Sequence, residues 1–155
     1  MSEELDGARR HYQQKERCVF CDVIRQEAKD RTRVISESND FVALAPYAPR
    51  FPFETWLLPK RHAARFEDAS RGEYASLARM VKDTLQRMDQ VLLSPPYNLI
   101  VHSAPLQDNA TEFYHWHMEI MPKLTRVAGF EWGTGFYINP TGPEEAADVL
   151  RRVRL

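Results

Sequence analysis

Cysteine is scarce, with only Cys18 and Cys21 in 155 residues, both inside one CxxC. Two such residues exclude a disulfide framework, and in a reducing compartment the pair reads as half a metal site or as a redox motif. An excess of either charge is missing too. Lysine and arginine number 21 against 22 acidic residues, so no global field is present to hold nucleic acid or a membrane, although substrates carrying a few phosphates stay possible. No stretch approaches the roughly 18 apolar residues that a membrane-spanning helix needs. The N-terminal run "MSEELDGARRHYQQKERC" is charged where a signal peptide would be apolar. The expectation is a cytoplasmic protein with neither nucleic acid nor membrane as partner. Internal repeats and low-complexity segments are absent as well.

What is there suits one domain. At 43% hydrophobic residues the chain can bury one sizeable core and is too short for two ordinary domains. Residues 1–17 read as a helical lead-in on the surface that contributes little core, with a single domain over 18–155. "DVIRQEA" follows the CxxC as a short amphipathic helix. "RVISES" and "FVALAP", joined by a turn at Ser38 to Asp40, predict a hairpin, and "PFETWLLP" a third strand ended by Pro59. From about Asp68 to Leu92 the apolar residues recur at three and four, which predicts one long helix lying on the sheet. "PPYNLIVHSAP" and "EFYHWHMEIMP" predict a fourth and a fifth strand with the polar loop "LQDNAT" between them. Thr141 and Glu144 predict a capping box for a last helix.

The run "FYHWHMEIMP", Phe113 to Pro122, carries the chemistry. A period of two sends His115, His117 and Glu119 to one face and Tyr114, Trp116, Met118 and Ile120 to the other, which packs. Zinc takes four soft or borderline ligands in a tetrahedron, and the CxxC supplies two thiolates. Five histidines, His11, His62, His102, His115 and His117, are available for the rest. His62 stands just past a strand end and His115 on a polar strand face, so Cys18, Cys21, His62 and His115 make a closed Cys2His2 candidate. A strand histidine is more often structural than a ligand; the joint occurrence of the CxxC, His62 and the HxH moves the balance to metal. His117 is then free, and a neutral imidazole is a good nucleophile toward phosphorus near pH 7. His117 as a spare or supporting imidazole is an equal reading. Glu119 can steady an imidazolium or merely orient a ligand, while Asn98 and His102 share one face of the fourth strand and can donate to phosphate oxygens. Phe51, Phe53 and Trp56 read as core, and His11 as solvated.

The motifs "CVFC", "LPKRH", "YNLIVHSAP" and "HWHMEIMP", in that order, resemble the histidine-triad (HIT-like) superfamily and within it the galactose-1-phosphate uridylyltransferase branch. The resemblance runs from about Arg17 to Val153. It implies an α+β, HIT-like fold: an antiparallel five-stranded sheet packed by one long helix, with short N- and C-terminal helices. It also implies a zinc site of Cys18, Cys21, His62 and His115, a nucleotidyl group carried on His117 between a sugar nucleotide and a sugar phosphate, and a phosphate contact from Asn98. Glu119 departs from the family's HxHxH or HxHxQ, where the last residue contacts phosphate. An ionised glutamate has only acceptors and repels phosphate. No acidic ribose contact is evident in "ALAPYAP". The stretch from His115 to Ala147 is more similar to the second of the branch's two units, so the resemblance implies a free-standing or excised C-terminal half, paired as a homodimer or with a second such unit. Two alternatives to transfer through His117 follow: a non-catalytic zinc module, and a HIT-type hydrolase in which water takes the nucleotidyl group.

Overall fold

A computed structural model describes residues 2–106, 110–124 and 126–155. Helix α1 (Ser2–Lys15) leads into α2 (Val19–Asp30), whose N-cap is Cys18. Strands β1 (Val34–Glu37), β2 (Phe41–Leu44) and β3 (Thr55–Pro59) follow. A 3-10 turn over Phe66–Asp68 precedes α3 (Arg71–Leu92). Then come β4 (Tyr97–His102), β5 (His117–Pro122), α4 (Gly129–Thr134) and α5 (Pro143–Arg152). The five strands form one antiparallel sheet in the order β1-β2-β3-β5-β4, as the α+β reading anticipates. The centre of the loop "LQDNAT", residues 107–109, lies outside the described residues.

Alternation along the strands sorts the core into two layers. Phe41, Ala43, Leu57, Met118 and Ile120 face one way and pack with Leu77, Met80 and Met88 of α3 and Ala147 and Leu150 of α5. Each such Leu, Met or Phe contributes about 1.5–3 kcal/mol when fully removed from water. Val34, Val42, Leu44 and Leu58 face the other way, toward Phe20 of α2 and Ala8 of α1. Helix α3 is fixed at its start by a reciprocal capping box between Ser70 and Glu73.

Three local expectations need correction. Strand β5 begins at His117, because the Trp116 amide donates to the Ala63 carbonyl (2.9 Å) and leaves the ladder. Tyr114 therefore joins Phe20 and Phe113 in the second layer, away from Trp116. The last helix is entered through Gly142 with Pro143 at its first position, not through a Thr141 box; Glu144 instead meets Arg33 at 2.8 Å. Helix α1 does contribute core: Ala8 is buried, with Leu5 and Tyr12 packed beside it.

Candidate metal centre and histidine cluster

The two ends of the sheet's central strands build the first group. Beyond β3, residues 60–64 run beside the segment entering β5, held by the Trp116 to Ala63 bond. This sets His62 and His115 edge to face, with ring centroids 5.4 Å apart. The N-terminus of α2 brings Cys18 and Cys21 to them. One donor atom from each of Cys18, Cys21, His62 and His115 lies within 4.8 Å of all the others. Cys21 Sγ is 3.3 Å from His62 Nδ1 and 3.5 Å from His115 Nδ1. Each imidazole has its other nitrogen occupied, His62 Nε2 donating to the Thr111 carbonyl and His115 Nε2 to the Pro59 carbonyl, both at 2.8 Å. Those bonds place the protons on Nε2 and turn the Nδ1 lone pairs toward the sulfurs, the arrangement that orients histidine ligands. The Cys21 thiol and then His115 hold the Cys18 thiol down, at about 4, despite its burial, while Cys21 is pushed up by the neighbouring Cys18 sulfur. Two cysteine sulfurs and two imidazole nitrogens suit a divalent soft-to-borderline cation, which takes the sulfurs as thiolates, and the four together would fill all positions of a tetrahedron.

The second group lies on the same sheet face. His117 is fully buried between aromatic planes: His102 (4.7 Å, 6° between planes) and Trp56 (5.0 Å, 28°), with Phe20 at 4.9 Å. Its Nδ1–H donates to the His115 carbonyl at 3.1 Å, which leaves Nε2 as the lone-pair atom, without a hydrogen-bond partner. Nε2 faces two carboxylates, Glu4 at 3.5 Å and Glu119 at 4.0 Å. His102 sits between the same two, Nδ1 2.9 Å from Glu4 and Nε2 3.3 Å from Glu119, as ion-pair contacts whose angles depart from hydrogen-bond geometry. Glu119 first and Glu4 next raise His102 to about 9 against the drag of burial. His102 is thus the imidazolium of the cluster. Burial lowers His117, which stays neutral beside it. Burial pushes Glu4 and Glu119 up, yet the imidazoles, Tyr114 at Glu4 and Arg50 at Glu119 together hold both carboxyls below their usual range. One possible ligand atom from each of Glu4, His102 and His117 also lies within 4.8 Å of the others, but the imidazolium form of His102 has no lone pair to give an ion.

Of the predicted residues, His102, His117 and Glu119 come together, and Asn98 does not. It pairs with Met121 in the β4–β5 ladder, four residues and so about 13 Å from His102 along the strand, exposed to solvent. His11 approaches Asp22 (3.3 Å). Sequence reasoning missed Glu4, although Glu4 and Ala8 share a face of α1 beside the stripe Leu5, Ala8 and Tyr12. It also missed Tyr114, whose hydroxyl donates to Glu4 at 2.8 Å, and Arg50, which donates to Glu119 at 3.1 Å.

The sequence profile of the galactose-1-phosphate uridyl transferase C-terminal domain matches residues 4–151. The chain belongs to this family. An ADP-glucose phosphorylase of Arabidopsis thaliana is 39% identical over 157 residues, covering 100% of this chain and 43% of that protein. A galactose-1-phosphate uridylyltransferase of Thermotoga maritima is 32% identical over 98% of this chain and 50% of its own length. The crystal structure of the Arabidopsis phosphorylase with bound ADP-glucose superposes with a TM-score of 0.90 at 40% identity, covering 99% of this chain and 49% of that one. A Zn-bound histidine triad family protein from Mycobacterium smegmatis shares the fold, with a TM-score of 0.60 at 22% identity over 86% of this chain and 90% of its own. The uridyl transferase C-terminal domain is therefore HIT-like here, and the chain spans about half the length of the curated relatives it matches.

Proposed function

We propose that this chain is the metal-holding, C-terminal-type half of a nucleotidyltransferase that moves a nucleotidyl group between a sugar nucleotide and a phosphorylated acceptor. One observation carries the reading: His117 is fully buried, and its free nitrogen faces Glu4 and Glu119. A phosphate meeting that wall would be repelled. In this reading Cys18, Cys21, His62 and His115 hold one zinc. The ion supplies structure, because four protein ligands leave no open position. Residues 18–155 form the zinc-holding unit, and residues 1–17 cover its histidine face. The nucleophile then comes from a second HIT-like unit, and the exposed edge strand β4, with Tyr97, Leu99, Ile100 and Val101 outward, is the side on which that unit or a second copy of the chain adds a strand. The partner substrates are a nucleotide sugar and a sugar phosphate, and the setting is the cytoplasm, without nucleic acid or membrane.

A second reading keeps His117 as the nucleophile. Its support is the Nε2 lone pair, which no hydrogen bond uses, and it requires the Glu4 carboxylate to withdraw. Mass spectrometry of the intact chain decides between them after incubation with UDP-glucose or, separately, ADP-glucose and an alkaline quench. The expected result is no adduct on the chain alone. A nucleotidyl adduct that disappears in His117→Ala would overturn the module reading, establish the nucleophile and identify the base.

A further inference from the structure

We propose that Glu54 is the positioning residue of the histidine cluster: one buried carboxylate that sets both the Trp56 ring against His117 and the Arg50 guanidinium against Glu119. The inference rests on His117 and Glu119 belonging to the functional face, whichever unit supplies the nucleophile.

Glu54 is only 2% exposed, and no cation pairs with it among the described residues. Its partners are three N–H groups. Oε2 accepts from the backbone amides of Arg50 (2.8 Å) and Phe51 (3.2 Å), and Oε1 accepts from the Trp56 indole Nε1–H (3.0 Å). A carboxylate removed from water is expensive unless such donors replace its hydration. A glutamate kept here has a job that an apolar residue would not do.

Both arms of that hydrogen-bond set end on the cluster. The residue whose amide Glu54 holds, Arg50, extends its side chain to Glu119 (3.1 Å). The residue whose indole Glu54 holds, Trp56, lies on His117 with centroids 5.0 Å apart. Trp56 is also the cross-strand neighbour of Glu119 in the β3–β5 ladder, so the two arms close a ring. Between them the backbone is strained. Phe53 has φ +61°, in the left-handed region that a residue with a Cβ avoids, within a turn closed by the Glu54 amide on the Phe51 carbonyl (3.2 Å). Strain of this kind persists where the surroundings over-determine it, and it collects near functional sites. Asn139 braces the same turn from outside, donating to the carbonyls of Pro49 and Phe51 at 3.3 Å.

The test is NMR of imidazole, indole and guanidinium resonances in the zinc-loaded chain, a readout that needs no turnover and so stands apart from the adduct experiment. In Glu54→Gln the amide nitrogen opposes an N–H donor. The His117 ring signals are expected to shift as the Trp56 ring moves, and the Arg50 side-chain N–H to exchange faster, with His62 and His115 signals unmoved. A purely structural Glu54 would lower Tm and leave the His117 and Arg50 signals where they were, and that result overturns the proposal. Should Glu54→Gln fail to fold, the unsubstituted protein still decides. Slow hydrogen exchange is expected at both the Trp56 indole N–H and the Arg50 amide, and fast exchange at either overturns the assignment.

Discussion

At the residue scale, the raised His102 gives a signed pH effect. Its folded value of about 9 lies above the unfolded value near 6.5. The stabilisation is therefore complete below about pH 6.5 and is lost as pH rises through 9. Glu4 and Glu119 act oppositely, contributing above the unfolded carboxyl range and losing their contribution as pH falls through their lowered values. The Tm difference between wild type and His102→Gln should be largest near pH 6 and close to zero at pH 10; thermal melts across that range check it. Glu4→Ala leaves the His102 imidazolium with one carboxylate instead of two and strips Tyr114 of its acceptor. A loss of roughly 2 kcal/mol is expected, measured by denaturant unfolding, for a partly buried ion pair broken on one side. Legibility at this scale divided by rarity. That Cys18, Cys21, His62 and His115 converge could be read because cysteine and histidine are few, the two cysteines form one CxxC, and the two histidines stand out past a strand end and on a polar strand face. Glu4 could not, since a glutamate on a polar helix resembles every surface glutamate until the tertiary contact is known. Glu54 was hidden in the same way, one glutamate within the predicted third strand whose burial only the fold reveals.

At the element scale, the long α3 and the hairpin were legible because binary pattern and turn residues agree there, whereas the second apolar layer under α1 and α2 was not read. The start of β5 was not, because the bond from Trp116 to Ala63 is a long-range event that overrides a period-two pattern. The same bond is what brings His115 to His62, so the misread boundary and the convergence of the four candidate ligands have one cause. The role of α1 was underestimated for want of apolar residues, although Leu5, Ala8 and Tyr12 suffice to seat it. A chain starting at Arg17 tests what that seat does. With α1 present, diethyl pyrocarbonate should acylate the part-exposed His11 and spare His117. Without it, His117 should react, as read by peptide mass spectrometry. Continued protection of His117 in the truncated chain would show that α1 is not its cover.

At the scale of the whole molecule, no described helix is long and apolar enough to cross a membrane, and the sheet leaves β4 as an edge with apolar side chains outward. Small-angle scattering should return the mass of a pair, and Ile100→Lys on that edge should return a single chain. Chelation tests the metal centre in the same sample. Removal of one zinc per chain is expected to lower Tm by about 10 °C, corresponding to roughly 3 kcal/mol for a domain of this size, with no such change in a variant already lacking Cys18 and Cys21. The spread of the four candidate ligands along the chain has a kinetic side. Cys18 and Cys21 lie near one end, His62 near the middle and His115 beyond it, so a captured ion closes two long loops at once. Loop closure is the slow, entropically opposed part of assembling non-local sheets. An ion that bridges the start of α2 and the last strand's entrance before the sheet is complete would act as a folding template, and refolding in the presence of zinc should then be faster as well as more complete.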